Sequence, residues 1–223
     1  MPQRTFKQSW IAPLGVPLGV LLVACVLFAG CTQNARVDYQ PKQGDILFQS
    51  LPHHELTDAI EGITQSPYSH CGVITQREGE FYVIEAIGPV KETPVAEFIQ
   101  RGRGRQVAVY RLDEKYTPGI DGFVEHLRDY LGRPYDFRYR MDDERIYCSE
   151  LIYKAFDQQY GEPLGAMDRL GDMNWKPYQA TIMKYEGGPA PLDLMMITPQ
   201  GVADAEQLTL IHPKAPPGQT ASK

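Results

Sequence analysis

Cysteine is scarce in this chain, and several kinds of clustered chemistry are missing. Four cysteines stand among 223 residues. Cys25 and Cys31 fall inside an apolar N-terminal run, which leaves Cys71 and Cys148, too few for a disulfide framework. There is no internal repeat, no glycine-rich phosphate loop and no clustered metal-ligand spacing, so neither a metal nor an organic cofactor is expected. His53-His54 is a lone pair of neighbours that reads as surface. Positive charge is also short, with 22 Lys and Arg against 28 Asp and Glu, a formal net charge of −6. An acidic surface argues against nucleic acid or anionic lipid as a general partner.

The N-terminus is the one place where charge almost disappears. Arg4 and Lys7 are the only charges before residue 36, and Ile11 to Gly30 is apolar throughout. That is the pattern of an export signal, residues 1–30; a run of about 20 apolar residues would also suffice to span a bilayer. Leu27-Phe28-Ala29-Gly30-Cys31 resembles a bacterial lipobox and is followed by the polar Thr32-Gln33-Asn34-Ala35-Arg36. Leu22-Val23-Ala24-Cys25 matches by letter, but cleavage there would leave an apolar start. Cys31 is therefore the expected lipidation site, with Cys25 the alternative. Residues 31–42 would be a tether to the membrane, and Thr32 permits outer-membrane sorting towards the periplasm. Losing Arg4 and Lys7 lowers the basic count from 22 to 20, so the mature chain carries a net −8.

One domain is expected over residues 43–212, then a disordered tail, 213–223. Gly44-Asp45-Ile46-Leu47-Phe48 reads as a strand, and Glu55 to Ile63 as a helix closed by Gly62 and Ser66-Pro67. Cys71 to Gln76 and Phe81 to Ala86 form a hairpin by pattern. Pro94 to Ile99 reads as a short helix, and Arg101-Gly102-Arg103-Gly104-Arg105 as a solvated turn, though three arginines between glycines could hold an anion. Gln106 to Leu112 is a further strand and Gly119 to Leu131 an amphipathic helix. Glu162 to Pro191 reads as irregular, its Met, Trp and Tyr residues either overhanging a cleft or packing on themselves. Leu194 to Thr198 and Leu208 to Ile211 read as strands, with Thr198-Pro199 opening a last short helix.

The stretch carrying the most chemistry is Tyr147-Cys148-Ser149-Glu150-Leu151. Tyr147, Leu151, Ile152, Ala155 and Phe156 fall at the spacing of a buried helical face, running to Tyr160 and stopped by Gly161. A thiol at a helix N-terminus meets unpaired N–H groups and a favourable dipole, which stabilise thiolate. A small buried hydrophobe would look the same. A nucleophilic cysteine also needs a base and a group to orient it. His53, His54 and His212 lie in loops or near the tail and His126 inside a helix, which leaves His70. With an even-numbered turn centred on Glu78-Gly79, paired positions in the hairpin sum to 157. His70, Gly72 and Glu85 then share a sheet face, His70 and Glu85 as diagonal neighbours across a glycine. Cys71 points to the other face and is expected in the core, away from the site and unbonded. A strand-edge glutamate and a loop histidine would have the same letters.

Five segments occur in order: Gly44-Asp45-Ile46, Ser69-His70-Cys71-Gly72-Val73, Val83-Ile84-Glu85-Ala86, Gly132-Arg133-Pro134-Tyr135-Asp136 and Tyr147-Cys148-Ser149-Glu150-Leu151. Together they resemble the YiiX/YebB group of permuted papain-like cysteine hydrolases, relatives of NlpC-type cell-wall peptidases, over roughly residues 43–200. The resemblance implies an α+β fold, a small, mostly antiparallel sheet with the nucleophile helix packed on it. It implies Cys148 as nucleophile, His70 as base, Glu85 as orienting carboxylate and Tyr135 as an oxyanion candidate. Cys71 departs from the aliphatic residue usual there, and a Cys71–Cys148 disulfide would silence the site. The activity implied is acyl transfer through an acyl-enzyme on an amide, with peptidoglycan stem peptides as the envelope substrate. The alternatives are hydrolysis or transfer of a lipid or thioester acyl group, or a non-catalytic lipoprotein binding a peptide or lipid in the same groove. Oligomeric state has no signature in the sequence.

Overall fold

The computed structural model of the chain describes residues 40–212. The expected signal peptide, Cys25, Cys31, most of the tether and the tail 213–223 lie outside these residues.

The middle of the sheet is built from short runs that are buried on both faces. Strand β1 (Ile46–Gln49) has all four residues buried and pairs with β2 (His70–Arg77) on one side and β5 (Ala108–Leu112) on the other. The sheet has six strands in the order β4-β3-β2-β1-β5-β8, where β3 is Glu80–Ala86, β4 Val90–Pro94 and β8 Leu208–His212. Every pairing is antiparallel. The β2–β3 turn is Glu78-Gly79, both with positive φ (52° and 84°), the conformation that suits a two-residue hairpin. Val73 faces Ile84 and Arg77 faces Glu80, so paired positions sum to 157 as expected.

Alternation along these strands divides the interior into two layers. Ile46, Phe48, Cys71, Val73 and Ile84 face a large core shared with Leu151, Ile152, Ala155 and Phe156. Those four belong to helix α4 (Cys148–Tyr160), which Gly161 ends in the left-handed conformation. Each fully buried Leu or Ile here contributes roughly 1.5–3 kcal/mol. Leu47, Ile74, Val83 and Val109 face the opposite way, against Phe98 of α2 (Val95–Arg101). Helix α1 (Glu55–Thr64) is capped by His54. Helix α3 (Ile120–Arg128) follows a 3-10 turn, Glu114–Gly119.

Several expectations are corrected. Strand β4 was not anticipated: Lys91 and Glu92 make it polar, and Pro94 marks its end. Gly62 does not stop α1 but lies within it, where it leaves room for the Tyr178 hydroxyl, 1.8 Å from where a Cβ would sit; the helix ends at Thr64, with Gln65 as its left-handed cap. Residues 162–191 are not simply irregular, since they hold α5 (Gln179–Glu186), 3-10 turns and the two-residue strand β6 (Asp168–Arg169). The strand expected at Leu194 to Thr198 reduces to β7 (Met195–Met196), which pairs with β6. Thr198 caps α6 (Pro199–Ala203) by accepting a hydrogen bond from the Gly201 N–H at 2.9 Å.

Candidate active site

The site forms where the sheet ends. His70 is the first residue of β2 and Cys148 the first of α4. The entry to α4 is held from several directions. Glu150 accepts from the Tyr147 backbone N–H at 3.2 Å, and the Tyr147 hydroxyl accepts from Ile197 N–H at 3.1 Å. The Ser149 hydroxyl donates to the Ile197 carbonyl at 2.9 Å. Cys148 itself is 2% exposed. Lys154 lies 2.9 Å from the buried Glu150 carboxylate, and burial raises that carboxylate's pKa to about 7.

His70 and Glu85 meet as the hairpin parity requires. The His70 Nε2–H points to Glu85 Oε2 at 2.5 Å, with both residues almost wholly buried. Gly72 lies between them, and an added Cβ there would come within 2.5 Å of Val83 and 3.2 Å of the Glu85 Cβ. A side chain at Gly72 would therefore push on the pair. The Glu85 carboxylate is fully subscribed: Thr93 donates to Oε1 at 2.6 Å, and Arg101 donates to both oxygens at 2.6 and 2.5 Å. Burial opposes its ionisation, but His70, Arg101 and Thr93 outweigh burial and hold the pKa at about 2. The His70 ring lies over Phe98 with centroids 5.7 Å apart.

Because Nε2 is committed to Glu85, Nδ1 is the nitrogen left for the thiol. Burial pulls the His70 pKa down, yet contact with Cys148 and then with Glu85 raises it to about 9. The Cys148 pKa moves the other way, well below the usual thiol value. A hydrogen bond from the Cys71 side chain contributes most, burial opposes it, and His70 and the Cys71 backbone N–H add to the lowering. The favoured resting state is thus a thiolate beside an imidazolium.

The position of Cys71 corrects an expectation. It is buried and free, as anticipated, and it does point away from His70. But α4 packs on that other face, so pointing away from the histidine means pointing towards Cys148. The two neighbours reach the sulfur from opposite sides of the strand end. Cys71's own pKa is raised well above the ordinary value by burial and by Cys148, which keeps it a proton donor.

Sequence reasoning also missed Thr93 and Arg101. The arginine-glycine run is not a solvated turn: Arg101 clamps Glu85, and Arg103 clamps Glu61 at 2.5 Å. The anion each holds is the protein's own. Tyr135 is half-buried and lines the same opening as His70. Its hydroxyl lies 3.5 Å from that of Tyr139.

A family model described as permuted papain-like amidase enzyme, YaeF/YiiX, C92 family, matches residues 40–212. The protein YiiX of Escherichia coli (strain K12), described as uncharacterized, is 34% identical over 181 residues, covering 80% of this chain and 89% of that protein. A crystal structure described as metalloprotein yiiX from Escherichia coli O157:H7 matches with a TM-score of 0.75 at 34% identity, over 80% of this chain and 100% of that one. Among the described residues here, no group of three or more His, Cys, Asp or Glu is placed to hold a metal ion. Glu85 and one His70 nitrogen are already engaged, so the donors around Cys148 do not fit a metal cage.

Proposed function

The chain belongs to the permuted papain-like amidase family and is a cysteine hydrolase of the amidase type, and from that premise we propose that Cys148 is its nucleophile, His70 its acid and base, and Glu85 the group that orients His70. The observation that carries this is the buried His70–Glu85 contact at 2.5 Å beside a thiol whose pKa is lowered. The Cys148 thiolate attacks the amide carbonyl carbon, forming a C–S bond. The His70 imidazolium gives its Nδ1 proton to the departing nitrogen as the C–N bond breaks. Neutral His70 then takes a proton from water, whose oxygen displaces the sulfur, releasing acid and restoring the ion pair. Cys71 supports this by donating to the thiolate, and Arg101 and Thr93 by fixing Glu85.

Tyr135 stands at the opening, where its hydroxyl and the Cys148 backbone N–H could receive the oxyanion. The cleft beside His70 is lined by Leu56, Ile60, Ala86 and Phe137, which favours an acyl group over a peptidoglycan stem peptide. The N-terminal run and Cys31 support placement at the envelope through a lipid anchor, outside the described residues.

Rapid mixing with an N-acyl p-nitroanilide tests this reading. An acyl group bonded to Cys148 is expected in acid-quenched samples read by mass spectrometry, since amide cleavage leaves the acyl group on sulfur until water displaces it. Tyr135→Phe should lower turnover by roughly 10²-fold while leaving Cys148 alkylation nearly unchanged, because its hydroxyl acts on the oxyanion. Nitroaniline release that persists in Cys148→Ala would remove the acyl-enzyme.

A further inference from the structure

Cys71 and Cys148 are the two cysteines among the described residues, and both are free and buried. Cys71 is the second residue of β2 and fully enclosed, whereas Cys148 opens α4 at 2% exposure. Both face the core that β2 and α4 share. Cys71 meets the Cys148 sulfur twice, through its side chain and through its backbone N–H. Joining the two sulfurs therefore asks for side-chain rotation and not for lifting α4 off the sheet. Hydrolysis needs only a hydrogen bond from this position, which a hydroxyl would also give. A second thiol adds one chemistry that a hydroxyl lacks, a bond to sulfur.

From this contact the structure assigns Cys71 and Cys148 as a peroxide-driven disulfide pair, in which Cys148 is oxidised first and Cys71 resolves it. The inference rests on Cys148 being the nucleophile and goes beyond it, to how that sulfur is protected. The Cys148 thiolate attacks one oxygen of hydrogen peroxide or an organic hydroperoxide. An S–O bond forms and the O–O bond breaks, while the His70 imidazolium gives its proton to the departing oxygen, which leaves as water or an alcohol. The sulfur has lost two electrons and the peroxide has gained them. The Cys71 sulfur then displaces the hydroxyl from the sulfenic acid, and the Cys71 proton leaves with that hydroxyl as water. The order is built in. Burial and the anionic Cys148 both hold the proton on Cys71, and the second influence vanishes once Cys148 is a neutral sulfenic acid. The opening beside His70, bordered by Ser69, Ala86 and Tyr135, must admit the substrate carbonyl, and peroxide is smaller. Without Cys71 the sulfenic acid would go on to sulfinic acid, which thiols do not reverse. The disulfide stops at a state that a thiol reductant restores.

The test treats the full chain with hydrogen peroxide and maps its peptides by mass spectrometry before and after dithiothreitol. A Cys71–Cys148 cross-link, lighter by two hydrogens, should form as amide hydrolysis falls by about tenfold or more. Dithiothreitol should open the cross-link and return the rate to within about twofold of its start. In Cys71→Ser and in Cys71→Ala the same exposure should add two oxygens to Cys148, and dithiothreitol should recover none of the loss. The mass readout needs no turnover. A cross-link in a chain that cleaves no amide would uphold the pair and remove the hydrolase reading. Sulfinic acid on wild-type Cys148 as fast as in either variant would overturn the pair and leave the hydrolase intact. A Cys148 that peroxide leaves unmodified would overturn it equally. So would a cross-link from Cys148 to Cys25, to Cys31 or to a second copy of the chain.

Discussion

Cys148→Ala should remove amide hydrolysis, with a fall of about 10⁴-fold or more in kcat, because no other group is set to form the acyl-enzyme. The fold should survive. The residue is small, and α4 keeps its anchors through Tyr147 and Ser149 on Ile197. Losing one buried sulfur atom should move the melting temperature by no more than about 5 °C. The variant also reports on the histidine. Contact with Cys148 is the first of the influences that raise the His70 pKa, so the imidazole should titrate well below about 9 once the thiolate is gone. NMR titration of His70 in both proteins would measure this. An unchanged His70 pKa would mean that the two groups are not paired.

His70→Ala should lower turnover by roughly 10²–10⁴-fold, the range for loss of a general acid and base. It should not unfold the protein, because Glu85 keeps Arg101 and Thr93 as partners. Stability should nevertheless change with pH in opposite directions for the two residues. The His70 pKa is raised to about 9 in the folded state. Its stabilising contribution is therefore complete below the unfolded value of about 6.5 and is lost as pH climbs through about 9. The Glu85 pKa is depressed to about 2, so its contribution is present above the unfolded value of about 4.3 and disappears as pH falls through about 2. Thermal melts across pH should show the acid loss in both wild type and His70→Ala, while on the alkaline side the Cys148 thiolate, its pKa lowered, gains stability as His70 loses it and offsets that loss in wild type.

Much of the site was legible because its information is local. A glycine in the turn sets the β2–β3 register, and register with parity then brings His70, Gly72 and Glu85 to one face. The run Tyr147 to Phe156 shows its own helical stripe. What escaped depends on distant partners. Arg101 and Arg103 look like solvent-facing charges until the fold brings Glu85 and Glu61 to them, 16 and 42 residues away. Helix α5 is short and only half-buried, with Ile182 its apolar contact to the core, and so it reads as loop. Strand β4 is short and charged, and only its pairing with β3 makes it a strand; Thr93 was lost with it. Parity correctly turned Cys71 away from His70, but sequence could not say on which face α4 would pack.

The resting ion pair is the central claim, and the rate of Cys148 alkylation against pH tests it most directly. The modified site is read by mass spectrometry in wild type and in His70→Ala. An ordinary thiol of pKa about 8.5 is only about 3% thiolate at pH 7. Wild-type Cys148 should already alkylate near its full rate there. In His70→Ala the apparent pKa should rise by more than about one unit, with Cys71 still lending its hydrogen bond. A Cys148 that titrates near 8.5 in both proteins would be a packed core thiol and would contradict the ion pair.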